Sequence, residues 1–162
     1  ATLGIVGMGR IGSAVAARAS AFGMHVIHHN RSGGVPFDRL IRESDVVSLH
    51  CPLTEKTRHL IDASVLRSMK SSAILINTAR GPVVDEEALV AALEQHEIAG
   101  AGLDVFECEP DVHPGLVASP HALLLPHLGS ATVQTRRRMG VMVAEDLLRG
   151  LRSEPLNNGV KL

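Results

Sequence analysis

Six short apolar runs divide the chain, and the stretches between them carry apolar residues at helical spacing. The runs are Leu3–Val6, His25–His29, Asp45–Leu49, Ala73–Asn77, Gly100–Val105 and Leu123–Pro126. Most are continuously apolar at their centres, as strands buried on both faces are; a half-exposed strand would alternate instead. Between the first two runs, Ile11, Val15, Ala19 and Phe22 recur on one helical face and Gly23 ends the pattern. Further helices are expected near Phe37–Glu43, over residues 63–70 and from about Thr132 to Leu148. One more starts at Asp85, which can cap free amides, with Glu86 and Glu87 suiting the positive helix end and Val84 able to staple onto Leu89. Strand–helix alternation of this kind predicts an α/β fold, a doubly wound parallel sheet with helices on both faces. The Gly33-Gly34 pair reads as a loop, and no internal repeat or low-complexity segment is present.

Length and charge narrow the rest. At 162 residues the chain has the size of about one domain. We expect that domain over 1–150 and a tail over 151–162, marked by Pro155 and Gly159. Sixteen Lys plus Arg against seventeen Asp plus Glu give a net charge of −1, which offers nothing to nucleic acid or an anionic membrane. Three Phe with no Trp or Tyr leave no platform for stacking bases. No apolar stretch reaches the roughly 18 residues of a membrane span. Cys51 and Cys108 form neither a CxxC pair nor a disulfide framework, so a reduced, cytoplasmic setting is expected.

Gly7-Met8-Gly9-Arg10-Ile11-Gly12 follows the first strand and opens the first helix. In that context Gly7 permits the tight turn, Gly9 the close approach of a pyrophosphate, and Gly12 the close packing of helix on sheet. The helix N-terminus then offers amides and a positive dipole to the phosphates. This is a Rossmann-like dinucleotide site. At the end of the second strand, where an acidic residue normally binds the adenosine ribose, stand Asn30, Arg31 and Ser32. Without the carboxylate a 2′-phosphate is not repelled, and the Arg31 fork can pair with it. NADP(H) is therefore the expected cofactor, with NAD(H) possible.

Arg80, Glu109 and His127 each stand just beyond an apolar run. Parallel strands deliver such residues to one crevice at their carboxyl ends. An arginine, a carboxylate and a histidine over a dinucleotide fold point to hydride transfer to a carbonyl.

Four segments, Gly7–Gly12, Asn77–Glu86, Asp104–Pro110 and Pro126–Thr132, together resemble the D-isomer-specific 2-hydroxyacid dehydrogenases, in order over nearly the whole chain. Within that family the look is nearest to NADPH-using glyoxylate/hydroxypyruvate reductases. The resemblance implies that His127 donates the proton to a 2-keto acid, that Glu109 orients its ring, and that Arg80 grips the substrate carboxylate. It further implies Asp104 on the nicotinamide carboxamide, Thr78 and Ala79 along the nicotinamide, and Pro52 and Leu53 near the adenosine half, with Thr57, Arg80, His127 and Gly129 also against the cofactor. It implies a small 2-keto or 2-hydroxy acid as substrate and a homodimer formed through this domain. Family members close a second domain over the substrate; because Ala1 almost opens the first strand, that domain is expected to be absent here.

Rival readings are weaker. Spacing does not choose between Glu107 and Glu109; the family motif selects Glu109. His121 precedes the last strand and His127 follows it, and six extended residues span about 20 Å, so the two do not share a site. His28 and His29 point to opposite faces of a strand, while His50 with Cys51 and Cys108 with His113 lack ligand spacing, so no metal is expected. Arg136–Arg138 reads as a solvated helix face or subunit contact. A methyltransferase would explain the glycines and leave the three polar residues idle. A dinucleotide-sensing or corepressor-like binding module remains the alternative in function.

Overall fold

The computed structural model describes residues 1–159; residues 160–162 of the anticipated tail lie outside the described residues. The chain divides into two compact units, Ala1–Pro126 and His127–Leu162.

The first unit is a sheet of seven strands with helices. In chain order it runs β1 (Thr2–Val6), α1 (Arg10–Ala21), β2 (His25–Asn30), β3 (Gly33–Gly34), α2 (Phe37–Glu43) and β4 (Val46–Leu49). It continues with α3 (Ala63–Ser68), β5 (Ile74–Asn77), a 3-10 turn (Gly81–Val83), α4 (Glu86–Glu94), β6 (Gly100–Leu103), α5 (Pro114–Ala118) and β7 (Ala122–Leu124). The strand order is β3-β2-β1-β4-β5-β6-β7. Every pair is parallel except β2–β3, which is antiparallel. Gly33-Gly34 is thus a short edge strand rather than a plain loop. The chain steps from β1 to β2 in one direction and then crosses back through β4 to β7, so right-handed crossovers put α1 on one face and α2 to α5 on the other.

Side-chain alternation along β1 fits this division. Leu3 and Ile5 form a small core with Ala19 of α1. Val6 belongs to the larger core with Leu40, Leu49, Leu66, Leu75 and Leu89. Gly4 lies on that second face, where a Cβ would collide with Ser44 and Leu40, so its missing side chain lets α2 sit close. The larger core holds Leu40, Val47, Leu49, Leu75 and Leu93 at 0% exposure. Its strand row is Val47–Leu75–Ala101–Ala122 by register. The opposite row is less covered than the continuous apolar runs imply: Ile74 is 41% and Leu123 68% exposed.

The helix caps follow local chemistry. Asp85 accepts from the Ala88 amide, as its position before two glutamates predicts. Asp62 caps α3 by accepting from Ser64 and Val65, a cap absent from the sequence expectations. Each such cap stabilises its helix by about 1 kcal/mol. Gly23 ends α1 at φ +74°, a left-handed conformation that favours glycine. The short helix α5, with proline in its first turn, is likewise an addition to the expected elements.

The second unit is built around α6 (Val133–Leu151), capped by Thr132, which accepts from the Thr135 amide. No residue of α6 is buried, and Arg136–Arg138 are exposed. Asp146 on this helix accepts from the amides of Asn157 and Asn158, tying down the segment that follows.

Candidate functional site

The parallel arrangement sends the carboxyl ends of β1, β2, β4, β5, β6 and β7 to one rim of the sheet. Strand order reverses between β1 and β4, which is where open α/β sheets hold ligands.

At that switch point Gly7 has φ +100°, and a Cβ there would lie 2.7 Å from the His50 carbonyl. Its amide donates to the His29 carbonyl at 2.9 Å, fixing the turn. A Cβ on Gly12 would overlap the Gly7 carbonyl oxygen, so helix α1 can begin this close to β1 only with glycine there. Gly9 faces open space, with nothing within 4 Å of its Cβ position. As the N-cap of α1 it brings no side chain, and the first turn, which contains Arg10 and Ile11, holds no acidic residue. The helix therefore begins with amides that no side chain caps, beside glycines that leave the approach open, an arrangement that fits a dinucleotide pyrophosphate.

Asn30 ends β2, and its Oδ1 accepts from the Arg31 amide at 2.9 Å; Arg31 and Ser32 are exposed. Beyond β4, His50 is half-buried, and its Nε2 lies 2.9 Å from Ser48 Oγ. Burial holds its imidazole below the usual pKa and pushes the Cys51 thiol up. Pro52 and Leu53 are exposed, and Thr57 Oγ donates to the Pro52 carbonyl at 2.7 Å, folding this stretch into a compact turn.

Beyond β5, the side chain of Asn77 is buried and shapes the Arg80 loop. Its Nδ2 donates to the Arg80 carbonyl at 3.0 Å and its Oδ1 accepts from the Ala79 amide at 3.1 Å. Thr78 and Arg80 are exposed, and the Arg80 guanidinium donates to the Ala79 carbonyl at 2.6 Å. Beyond β6, Asp104 is 6% exposed and its amide donates to the Asn77 carbonyl at 3.0 Å. Glu109 is exposed, and its Oε1 accepts from the Phe106 amide at 3.0 Å. Adjacent strands thus carry Arg80 and Glu109 on neighbouring loops of the same unit. His127 stands three residues past β7, exposed at φ +53°, and with Gly129 it belongs to the second unit.

Three groups here go beyond the sequence expectations. Asn77, expected only as the end of a strand, organises the loop that follows it. Glu86, expected only to complement the helix dipole, is 7% exposed, and burial raises its carboxyl pKa above the usual value. Glu107, the rival to Glu109 by spacing, lines a cavity of about 420 Å³ with His59, Asp85, Glu86, Glu87 and His113. None of Arg80, Glu109 and His127 lines that cavity. No group of three or more His, Cys, Asp or Glu among the described residues has an arrangement that could hold a metal ion. No helix among the described residues is long and apolar enough to cross a membrane.

Comparison with known proteins shows the family to which this fold belongs. The glyoxylate reductase of Korarchaeum cryptofilum is 51% identical over 166 residues, which cover 94% of this chain and 50% of that protein. The 4-methyl-2-oxopentanoate reductase A of Aspergillus oryzae is 46% identical over 155 residues, 90% of this chain and 47% of that one. The chain therefore spans about half the length of these relatives. Among solved structures, the NADPH-dependent glyoxylate/hydroxypyruvate reductase of Sinorhizobium meliloti, in complex with NADP and malonate, superposes with a TM-score of 0.92 at 39% identity. That match covers 98% of this chain and 52% of the other. The profile of the D-isomer specific 2-hydroxyacid dehydrogenase NAD binding domain matches residues 1–129, and the chain belongs to that family.

Proposed function

We propose that this chain is the cofactor-binding and catalytic half of an oxidoreductase that reduces small 2-keto acids of the glyoxylate or hydroxypyruvate kind with NADPH. The observation that carries the reading is the pairing of an uncapped, glycine-lined helix start at the switch point with Arg80 and Glu109 on the loops after adjacent strands. The glyoxylate reductases among the relatives support the substrate class.

When bound, the nicotinamide supplies the hydride; the protein supplies position and electrostatics. Arg80 grips the substrate carboxylate and polarises the keto oxygen, a bidentate role suited to its planar fork. His127 gives its proton to the developing alkoxide, since an imidazole titrates near neutral pH and recovers the proton each cycle. Glu109 holds that ring in the orientation the proton transfer needs. Asp104 fixes the carboxamide, with Thr78, Ala79 and Gly129 along the nicotinamide and Pro52, Leu53 and Thr57 beside the adenosine. Arg31, with Asn30 and Ser32, selects the 2′-phosphate and so NADP(H) over NAD(H). Water exclusion over the keto acid is assigned to a substrate domain outside these 162 residues, and the working unit to a cytoplasmic homodimer.

The test is glyoxylate-dependent oxidation of NADPH, followed by absorbance. His127→Ala lowers kcat by about a hundredfold or more, the usual contribution of a positioned acid, and changes cofactor affinity far less. Undiminished turnover in that variant refutes the assignment of His127.

A further inference from the structure

Two loops carry the polar residues of the proposed site, and they are joined by a contact between carboxylates and backbone that lies away from it. The Glu107 amide donates to Glu86 Oε1 at 2.6 Å, and the Glu86 amide donates to Glu107 Oε1 at 3.3 Å. Each glutamate thus accepts from the other's backbone. Glu86 opens α4, so the Glu107 carboxylate also sits at that helix's positive end. Around this exchange the backbone is tightly packed: a Cβ on Gly81 would overlap the Phe106 carbonyl. The third side is His59, held at φ +49°, whose amide donates to the Pro82 carbonyl at 2.8 Å. Its Nε2 lies 2.8 Å from Glu107 Oε1, off the line of the N–H, so the contact is ionic when the ring is protonated and not a hydrogen bond.

The two ends of this clamp lead directly to the site. Glu86 is six residues past Arg80, through the turn whose start is set by Asn77. Glu107 is two residues before Glu109, whose carboxylate bonds back to the Phe106 amide. We propose that Glu86 and Glu107 are positioning residues: their reciprocal exchange holds the Arg80 loop and the Glu109 loop in one register, so that the carboxylate grip and the histidine partner face the same substrate. This rests on the reductase reading for its catalytic consequence, but its structural half stands independently. Neither glutamate touches substrate. Burial raises the Glu86 carboxyl pKa, with repulsion from Glu107 adding to it, and the Glu107 amide opposes the shift.

The experiment compares Glu86→Ala and Glu107→Ala with Glu86→Gln and Glu107→Gln by amide hydrogen exchange and steady-state kinetics. Alanine removes the acceptor, whereas glutamine keeps an oxygen of the same reach. In the alanine forms, exchange quickens together at Ala79 on one loop and Phe106 on the other. The KM for glyoxylate then rises about tenfold, the cost of misplacing a charged contact, while the NADPH dissociation constant rises less, about threefold, because the glycine loop lies elsewhere in the fold and only Thr78 and Ala79 share the disturbed loop. The glutamine forms recover both. Unchanged exchange at either reporter in the alanine forms overturns the coupling, as does glutamine that fails to rescue. Should the alanine forms not fold, Glu107→Asp, which retracts the acceptor by one methylene, takes their place with the same expected outcome. Absence of glyoxylate turnover in the unsubstituted protein joined to its substrate domain would refute the reductase reading and leave the exchange result to decide the clamp.

Discussion

Cofactor choice provides the sharpest test of the proposed site, because the proposal rests it on two neighbouring side chains at the end of β2, the half-buried Asn30 and the exposed Arg31. Asn30 Oδ1 already accepts from the Arg31 amide at 2.9 Å, so Asn30→Asp keeps that bond and adds a full negative charge in the same place. Two unit charges about 5 Å apart in bulk water repel by about 0.8 kcal/mol. A 2′-phosphate carries close to two charges at neutral pH, which makes the penalty about 1.5 kcal/mol, or roughly tenfold in affinity. Removing Arg31 deletes a charge-assisted pair; since Arg31 is exposed, the low end of the usual range applies, again about 1.5 kcal/mol. The residues are adjacent and, in the proposed site, would meet the same phosphate, so the two losses will not simply add. Asn30→Asp with Arg31→Ala should therefore weaken NADPH by between about tenfold and a few hundredfold. NADH should tighten several-fold, because the new carboxylate accepts from both ribose hydroxyls. The assay is a fluorescence titration of each reduced cofactor, in which the lack of Trp and Tyr leaves the nicotinamide signal clean. Added salt should weaken NADPH more than NADH, since the pair is exposed to screening. Equal affinities in the unsubstituted protein, with a ratio that the double substitution leaves alone, would refute the electrostatic argument.

Other consequences can be checked as directly. Gly12→Ala forces a Cβ into the Gly7 carbonyl and should cost about 1–3 kcal/mol together with cofactor binding; an unaltered melting temperature and dissociation constant would contradict the close approach. Leu75→Ala empties a fully buried position in the larger core and should lower unfolding free energy in urea by about 2–5 kcal/mol. Asp45 and Asp62 both titrate below the usual carboxylate range, Asp45 through the Lys70 ammonium and then the Thr2 amide, Asp62 through the Val65 amide and then the Ser64 hydroxyl. A depressed folded pKa means their stabilisation is present above the unfolded value, near pH 4, and is lost as pH falls through the folded value. Asp45→Asn with Asp62→Asn should flatten that acid limb in pH-dependent melting, and an unchanged limb would assign it to other carboxylates.

What is legible in the chain and what is not divides along physical lines. Parallel strands buried between layers must be apolar throughout, so β1, β4 and β5 are visible as runs, with ends that differ by only a residue or so. Asp85 is visible as a cap because capping is local, a side chain meeting an amide three residues on. The strand β3 is invisible: it has two glycines and no side chain to carry a period, and only its pairing with His29 and Asn30 defines it. Helix α5 spans five residues, too few for a 3.6-residue period to repeat. The apolar runs overstate the burial of Ile74 and Leu123, because a continuous run reports what the strand tolerates on each face and not which face a helix reaches.

Glu107 and Glu109 mark the limit of local reading in the site itself. They are two residues apart in a loop with no period, both acidic and both beside the end of β6. Nothing in their spacing ranks them. What separates them is a partner 21 residues away in sequence: the Glu86 amide holds one oxygen of Glu107, and the Glu86 carboxylate holds Glu107's own amide. That fixes Glu107 toward the start of α4 and the acidic cavity beside it. Glu109 instead bonds back to Phe106 within its own loop. Glu107 is thus anchored at the start of a helix that Asp85 caps, and moving it would leave the part-buried Glu86 amide unpaired. Glu109 in turn pairs the part-buried Phe106 amide, and an amide left unpaired costs about 1–3 kcal/mol in either case, so the two carboxylates differ in where they are anchored and it is the family motif that selects Glu109.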